Sequence, residues 1–458
     1  MSDQFGADDK EHSRENLVMV PAAQVEIGMF VAELDRPWIE TPFLLQGFEV
    51  RTRSQLDTLM DFCRHVYVLK ENPEQAKKRQ ALKLEPLPIK VSGPVENKVA
   101  RKSIGNLLPG ARVRRSERKP PERRSVQRLR EPYEASTPVR LEHSNARKAL
   151  EAGRVGIKSL LASARLGQML DTDIAEEAVE GCVQSILANP EALLWMSRIK
   201  DKNQYTAEHC MNVCVLAIAF GRHLRMAEPE LRLLGLCGLL HDVGKMRIPM
   251  EVLDKPGRLT LDEFEIIKTH TTRGAELLQQ QVPRPDPEVI EVAQRHHERP
   301  DGGGYPGGLN EAQLSEFSRI ISIVDAYDAI TSNRCYSPEQ PSTEAQRIIF
   351  QNRGGQFDEE FALQFIRAIG PYPPGTLVEL QNGLMGLVLA GKPKFRHLPT
   401  VLVLRDTDGN PTEEQAVDLS LTDTGALSKD FLVKRTHPDG SFGLSVRDYQ
   451  VKAEPDFL

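Results

Sequence analysis

HHERPDGGGYPGGL, from His296 to Leu309, closes a helical stretch and opens a loop. Two adjacent imidazoles there can each serve a different metal ion, and the glycines behind them let backbone come close to a ligand. Upstream, LLHDVGK supplies His241, Asp242 and Lys245, a second compact group of ligand-type side chains. Imidazole with carboxylate is the ligand set of zinc, iron or manganese sites. Both motifs sit in a long run of helical periodicity, and a helical bundle can turn side chains from several segments into one cavity.

Outward from these motifs the helical pattern is continuous. ARKALEAGRVGIKSLLASAR (146–165), IAEEAVEGCVQSILANP (174–190) and EALLWMSRIKDK (191–202) carry i, i+3, i+4 apolar spacing. TAEHCMNVCVLAIAFGRHL (206–224), PELRLLGLCGLLHDVGK (229–245), FEIIKTHTTRGAELLQQ (264–280), DPEVIEVAQRHHE (286–298), SEFSRIISIVDAYDAITSN (315–333) and DEEFALQFIRAIG (358–370) continue it. Pro190 marks a helix start with Asn189 as its cap. After Pro373 the period switches to two: TLVEL (376–380), LMGLVLA (384–390) and TVLVLRD (400–406) read as strands, with QNG (381–383) and DGN (408–410) as turns. Near the other end, VPAAQVEIGMFVAELD (20–35) and VYVL (66–69) read as strands around the helical SQLDTLMDFC (54–63). Trp38, Phe43 and Phe48 lie between them and suit core filling or an interface patch.

The expected architecture is multi-domain and mainly α. A disordered tail (1–15) precedes a small α+β accessory domain (16–72) and a basic flexible linker (73–140). An all-helical bundle carrying the metal site follows (141–372), and a small β-rich unit closes the chain (373–458). The length of 458 residues accommodates this. The net charge of −6 hides an asymmetry: twelve Lys and Arg against two Glu lie between Lys98 and Arg130. Prolines, few apolar residues and no aromatics in that run favour a solvated linker over a phosphate-binding arm, so no stable nucleic-acid partner is expected. The six cysteines form no paired cluster, which fits reduced thiols in a cytoplasm, and Cys210 and Cys214 read as core. No apolar run approaches the ~20 residues of a membrane span. The N-terminal residues have no signal-peptide core. Neither a GxSxG elbow nor a Walker-type phosphate loop is present.

Six of the eleven histidines fall between 209 and 297. His223 reads as a surface helix residue. His209 and His270, taken alone, would pass for hydrogen-bonded core residues. Their occurrence on successive helices with His241, His296, His297 and Asp325 changes that reading. On a continued helix Asp242 would sit about 100° round from His241, and Lys245, at i+4, would face the same way as His241. Asp325 ends the apolar approach RIISIV, where an uncompensated carboxylate is costly; a metal or an ion pair would relieve it. Paired metals ~3.5–4 Å apart suit phosphodiester cleavage by an activated hydroxide.

HDVGK (241–245), LDKPGRLT (253–260), HTTRGAELL (270–278), HHERPDGGGYPGGL (296–309) and RIISIVDAYDAITSNRCY (319–336) resemble, in order and spacing, the HD-GYP family of HD-superfamily phosphohydrolases. That family degrades the bacterial messenger cyclic di-GMP. The resemblance spans roughly Tyr205 to Tyr336. It implies His209, His241, Asp242, His270, His296, His297 and Asp325 as metal ligands, with Asp242 and Lys245 catalytic. Lys245 would touch the scissile phosphate, and Tyr305 and Arg334 would hold substrate phosphate or base. It also implies two divalent ions, iron with manganese or nickel as substitutes, and conversion of cyclic di-GMP to pGpG, then slowly to GMP, in the cytoplasm. Tyr205 stands where some members have a glutamate and a third metal, which favours two ions, and Asp328 could assist. Ser337 replaces a basic residue that many members carry. IGMFVAELDRPWIETPFLLQGFEV (27–50) is similar to a small domain of unassigned function found ahead of such bundles, implying regulation or dimerisation. The alternatives are a cyclic di-GMP sensor with little turnover, or an HD hydrolase of another nucleotide such as cyclic GMP-AMP.

Overall fold

The structure, a computed structural model, describes residues 17–35, 48–50, 53–69, 125–199, 205–255, 257, 259–332, 339–392 and 395–449. Two compact units divide the chain at Arg124/Ser125. In the first, β1 (Leu17–Pro21), β2 (Phe30–Leu34), β3 (Phe48–Glu49) and β4 (His65–Leu69) form an antiparallel sheet in the order β1-β4-β2-β3, with helix α1 (Arg53–Phe62) alongside. Val31, Val50, Leu59 and Val66 are fully buried at its centre. Gly28, at φ 92°, makes the turn before β2 and donates its N–H to the Val50 carbonyl at 2.6 Å. Trp38, Phe43 and the Phe48 side chain lie outside the described residues.

The second unit is a helical body with a sheet built onto it. Its helices are α2 (Val139–Leu166), α3 (Thr172–Ala188), α4 (Pro190–Ser197), α5 (Tyr205–His223), α6 (Glu228–Leu240), α7 (Met250–Leu253), α8 (Leu261–Lys268), α9 (His270–Gln279), α10 (Pro287–Arg295), α11 (Glu316–Ile330), α12 (Ser342–Gln351) and α13 (Glu359–Ile369). Asn189 caps α4 through its side chain, with Pro190 in the first turn. Cys182, Cys210, Cys214 and Cys237 are fully buried among the helices.

Two expectations need correction. The segment 125–138 is not a free linker. Ala227 N–H donates to Gln127 O at 2.9 Å, Leu129 N–H to Arg225 O at 2.7 Å, Tyr133 Oη to Met226 O at 2.9 Å, and Arg128 pairs with Glu316. Backbone bonds, which the basic composition does not reveal, hold it to the helical body. The single helix expected over 264–280 breaks at Thr269 into α8 and α9. The closing strands form the expected β-rich unit, and it packs on the helices. The β5 (Leu377–Leu380), β6 (Met385–Lys392), β7 (Phe395–Arg405), β8 (Pro411–Asp418) and β9 (Val433–His437) strands form one antiparallel sheet, β8-β7-β6-β5-β9. Gly391 N–H donates to the buried Glu191 carboxylate at 3.1 Å, Asp439 N–H to Glu339 at 2.7 Å, and the Thr343 and Thr436 hydroxyls meet at 3.2 Å. Among the described residues no helix is long and apolar enough to cross a membrane.

Candidate metal centre

Close helix packing sets the first pair of imidazoles. A Cβ on Gly238 would fall 3.0 Å from the Cys214 backbone, tighter than a side chain is comfortably packed, so the glycine favours the close approach of α6 to α5. That approach brings the His241 ring, just past the end of α6, to 5.3 Å from the His209 ring. The helix stops at Leu240, and Val243–Arg247 continue as a tighter 3-10 turn. Lys245 therefore does not share a helical face with His241. In the turn, i and i+3 eclipse, and Lys245 Nζ meets Asp242 Oδ2. Gly244 lets the backbone of α9 come close to this turn: a Cβ there would lie 1.9 Å from the His270 carbonyl oxygen. The second group comes from the first residue of α9, His270, and from His296 and His297 past the end of α10. The α11 helix adds Asp325.

These seven residues converge. Ligand-type atoms of His209, His241 and Asp242 lie within 4.8 Å of one another, as do those of His270, His296 and His297, and those of His241, His296 and Asp325. Asp242 stands between the groups. Its Oδ2 is 3.5 Å from His209 Nε2 and 3.3 Å from His241 Nε2. Its Oδ1 is 3.3 Å from His270 Nε2 and 3.8 Å from His296 Nε2. Asp325 Oδ1 is 3.1 Å from His209 Nε2. One carboxylate thus offers one oxygen to each of two imidazole pairs.

Tautomers follow from the hydrogen bonds. Nδ1 of His241, His270 and His296 donates to the carbonyls of Gly238 (2.8 Å), Ile267 (2.7 Å) and Val292 (3.1 Å). Each Nε2 then presents a lone pair inward, the state a metal ligand needs. Nε2 of His270 and Nε2 of His296 face each other at 3.3 Å. Two acceptors at that distance repel unless a cation lies between them. Among the described residues, buried His241 Nε2 and Asp242 Oδ1 have no hydrogen-bond partner, an expensive arrangement unless an ion satisfies them. The donor set fits a pair of divalent cations.

Electrostatics agree. Burial lowers His270 to about 4 and His297 to about 3, and, with the neighbouring imidazoles, holds His296 well below its ordinary value. At neutral pH these rings carry no proton that a metal must displace. Burial would raise Asp242 and Asp325. Lys245 and His241 for the first, and His209 for the second, outweigh it and keep both carboxylates ionised. His209 differs: burial lowers it, but hydrogen bonds to Asp325 and Asp328 raise it overall.

His209, His241, Asp242, His270 and His296 are buried, whereas His297, Asp325, Lys245 and Tyr305 are partly exposed. Among the described residues, these last four form the solvent-facing side of the centre. Tyr305 lines that side, its ring stacked on His297 at 4.9 Å. Its loop is clamped by Glu298, a buried carboxylate that accepts from the backbone N–H of Gly307 and, at 2.9 Å, of Leu309. Gly304 is obligatory, since a Cβ would sit 2.5 Å from the backbone of His297, Glu298 and Arg299.

Asp328 stands behind the centre. It accepts from His209 Nδ1 at 2.8 Å, from Asn212 Nδ2 at 3.2 Å and from Ser332 Oγ at 3.2 Å. The sequence signal for this was the i, i+3 spacing of His209 with Asn212 and of Asp325 with Asp328. Glu298 had no signal beyond its place after the paired histidines. Arg334 and Ser337 lie outside the described residues, as does the Tyr205 side chain; Tyr205 opens α5. His223 is exposed at the end of α5, near Gln364.

Comparison with known proteins adds to this geometry. A family model described as an HD domain matches residues 192–361, and one described as a domain of unknown function (DUF3391) matches 17–175, running well past residue 72. The chain is 33% identical over 407 residues to a cyclic di-GMP phosphodiesterase of Pseudomonas aeruginosa, covering 88% of this chain and 89% of that protein. It is 36% identical over 158 residues to a 3'3'-cGAMP-specific phosphodiesterase of Vibrio cholerae, covering 34% and 36%. A solved HD-GYP-type protein of Bdellovibrio bacteriovorus superposes over 76% of this chain and 98% of its own, at 16% identity and a TM-score of 0.42, too loose to carry an argument.

Proposed function

The chain belongs to the HD-GYP family of HD-domain phosphohydrolases, and from that premise we propose that it is a phosphodiesterase that opens cyclic di-GMP to pGpG. The observation that carries this reading is Asp242, whose two oxygens face two separate imidazole pairs. HD-domain phosphohydrolases are metal-dependent. His209, His241, Asp242 and Asp325 would hold one ion, and Asp242, His270, His296 and His297 the other. Bound there, such a pair supplies a lowered water pKa and positive charge against the diester oxygens.

The remaining work falls to the protein. Lys245, partly exposed and paired with Asp242, would turn its ammonium to the scissile phosphate. Tyr305 lines the solvent-facing side and fixes His297 from the outside. Arg334 would hold the substrate's second phosphate or base. We further propose iron as the native metal, with manganese or nickel as substitutes, since imidazole and carboxylate accept all three. Two ions rather than three follow from Tyr205. The bundle spans 141–372, the N-terminal sheet serves as a regulatory or dimerisation module, and the enzyme works in the cytoplasm.

The test is direct. Protein purified without oxygen should contain about two ions per chain and convert cyclic di-GMP to pGpG, with slower appearance of GMP; removing metal with a chelator should stop the reaction. Tight binding of cyclic di-GMP by metal-loaded protein without product would establish a sensor instead. A second reading rests on the Vibrio relatives that act on 3'3'-cGAMP. Parallel assays of the two dinucleotides separate it.

A further inference from the structure

Beyond the metal ligands, the solvent-facing side of the centre carries a charged pair. Lys268 ends α8, and the break at Thr269 leaves it at the rim while His270 enters the centre. Its Nζ lies 5.6 Å from the centre of the Tyr305 ring, which itself stacks on His297. The Phe264 ring is 5.1 Å from the same ammonium. Glu265, one helical turn back, forms an ion pair with Lys268. The Lys268 side chain is 25% exposed and that of Glu265 68%, so the pair faces solvent rather than packing inward.

We infer that Lys268 and Glu265 together read the Watson–Crick edge of a guanine, making this pair a specificity determinant of the phosphodiesterase reading, on which the inference rests. The chemistry of the pair decides between a phosphate and a base as its ligand. A lone ammonium over the tyrosine would suit a phosphate. A carboxylate held against that ammonium repels one. Guanine presents an acceptor, O6, beside two donors, N1–H and N2–H. An ammonium next to a carboxylate offers the complementary order, donor then acceptor, as lysine and carboxylates do when they read bases elsewhere. Adenine presents a donor at position 6 and an acceptor at N1, so each partner would meet its own kind. A donor–acceptor pair matched to one base and mismatched to the other discriminates between them. The pair also lies near the centre: Lys268 Nζ sits over the Tyr305 ring, which stacks on His297.

The experiment compares kcat/KM on cyclic di-GMP, 3'3'-cGAMP and cyclic di-AMP for metal-loaded wild-type protein, Glu265→Gln and Lys268→Met. Wild type is expected to prefer the substrates in order of guanine content. Each substitution should reduce the ratio of cyclic di-GMP to cyclic di-AMP turnover by roughly 10-fold or more. An unchanged ratio in both variants, with wild type active on cyclic di-GMP, overturns the inference and leaves the phosphodiesterase reading standing. A uniform rise in affinity for all three in Glu265→Gln also overturns it, because that is the response of a phosphate-binding lysine. Wild type that turns over no guanine-containing cyclic dinucleotide removes the reading and the inference together.

Discussion

His209 and Asp328 are joined by a buried hydrogen bond of 2.8 Å from Nδ1 to Oδ2, on the side of the ring away from Asp325. The carboxylate fixes which nitrogen of His209 carries the proton and aims Nε2 at Asp242 and Asp325. Carboxylates behind metal-bound histidines raise ligand basicity and hold the ring in place. Asp328→Ala is expected to lower metal affinity or activity about 10–100-fold while the far-ultraviolet circular dichroism stays helical. Metal content after dialysis and kcat at saturating metal are the measurements. A variant that keeps both would reduce Asp328 to a packing residue.

Gly244 bears on the centre through sterics alone. The 1.9 Å approach that a Cβ would make to the His270 carbonyl has no flexible partner to yield, because the obstructing atoms are backbone of His270 and Gly274. Gly244→Ala must push the 243–247 turn away from α9, separating Asp242 from His270. We expect destabilisation of about 1–3 kcal/mol or more and loss of metal binding together. Chemical denaturation and metal analysis report the two effects, and near-wild-type values in both would show that the turn tolerates a methyl group.

How far the sequence foretold this site depends on what kind of contact each residue makes. His241, Asp242, His296 and His297 sit in motifs whose residue types announce ligands, and the structure does gather them with His209, His270 and Asp325. Lys245 pairs with Asp242 rather than facing the way of His241, because the helix ends at Leu240 and a 3-10 turn follows, a change that helical spacing in the sequence does not reveal. The same limit hid the break at Thr269. Short polar stretches such as Ser342–Gln351 and Pro411–Asp418 carried too little apolar periodicity to be recognised as α12 and β8. Glu191, buried under the closing sheet and bonded to Gly391 two hundred residues on, shows why the packing of the sheet on the helices left no trace in the sequence: a hydrogen bond to backbone carries no residue pattern.

The closing sheet has its own pH dependence. Glu379 on β5 lies directly opposite Arg435 on β9 and accepts from Lys434 at 2.7 Å, Arg435 at 2.6 Å and His437 at 3.1 Å. Hydrogen bonds from Lys434 and Arg435 bring its carboxyl down from 4.5 to about 2. A carboxylate held low in the folded state stabilises it fully above the unfolded value, and that stabilisation is lost as pH falls from 4.5 through 2. Glu379→Gln should cost about 1–3 kcal/mol at pH 7, and the gap from wild type should close as unfolding is measured at successively lower pH down to 2.5. A gap independent of pH would mean that packing, not charge, accounts for the loss.

Glu298 makes a prediction about substrate rather than metal. Its two oxygens each take a backbone N–H, from Gly307 and Leu309, on the far limb of the loop that presents Tyr305. Glu298→Gln keeps the volume but turns one acceptor into a donor facing another donor, a mismatch of about 1–3 kcal/mol in a buried position. His296 is held by the end of α10, its Nδ1 bonded to Val292, so the metal ligands need not move. The loop should loosen and the Tyr305 wall with it. Steady-state kinetics on cyclic di-GMP should then show a KM raised about 10-fold, with kcat changed much less and metal content intact. If kcat and metal were lost together instead, Glu298 would belong to the support of His297, and the loop would not be the part of the site that holds substrate.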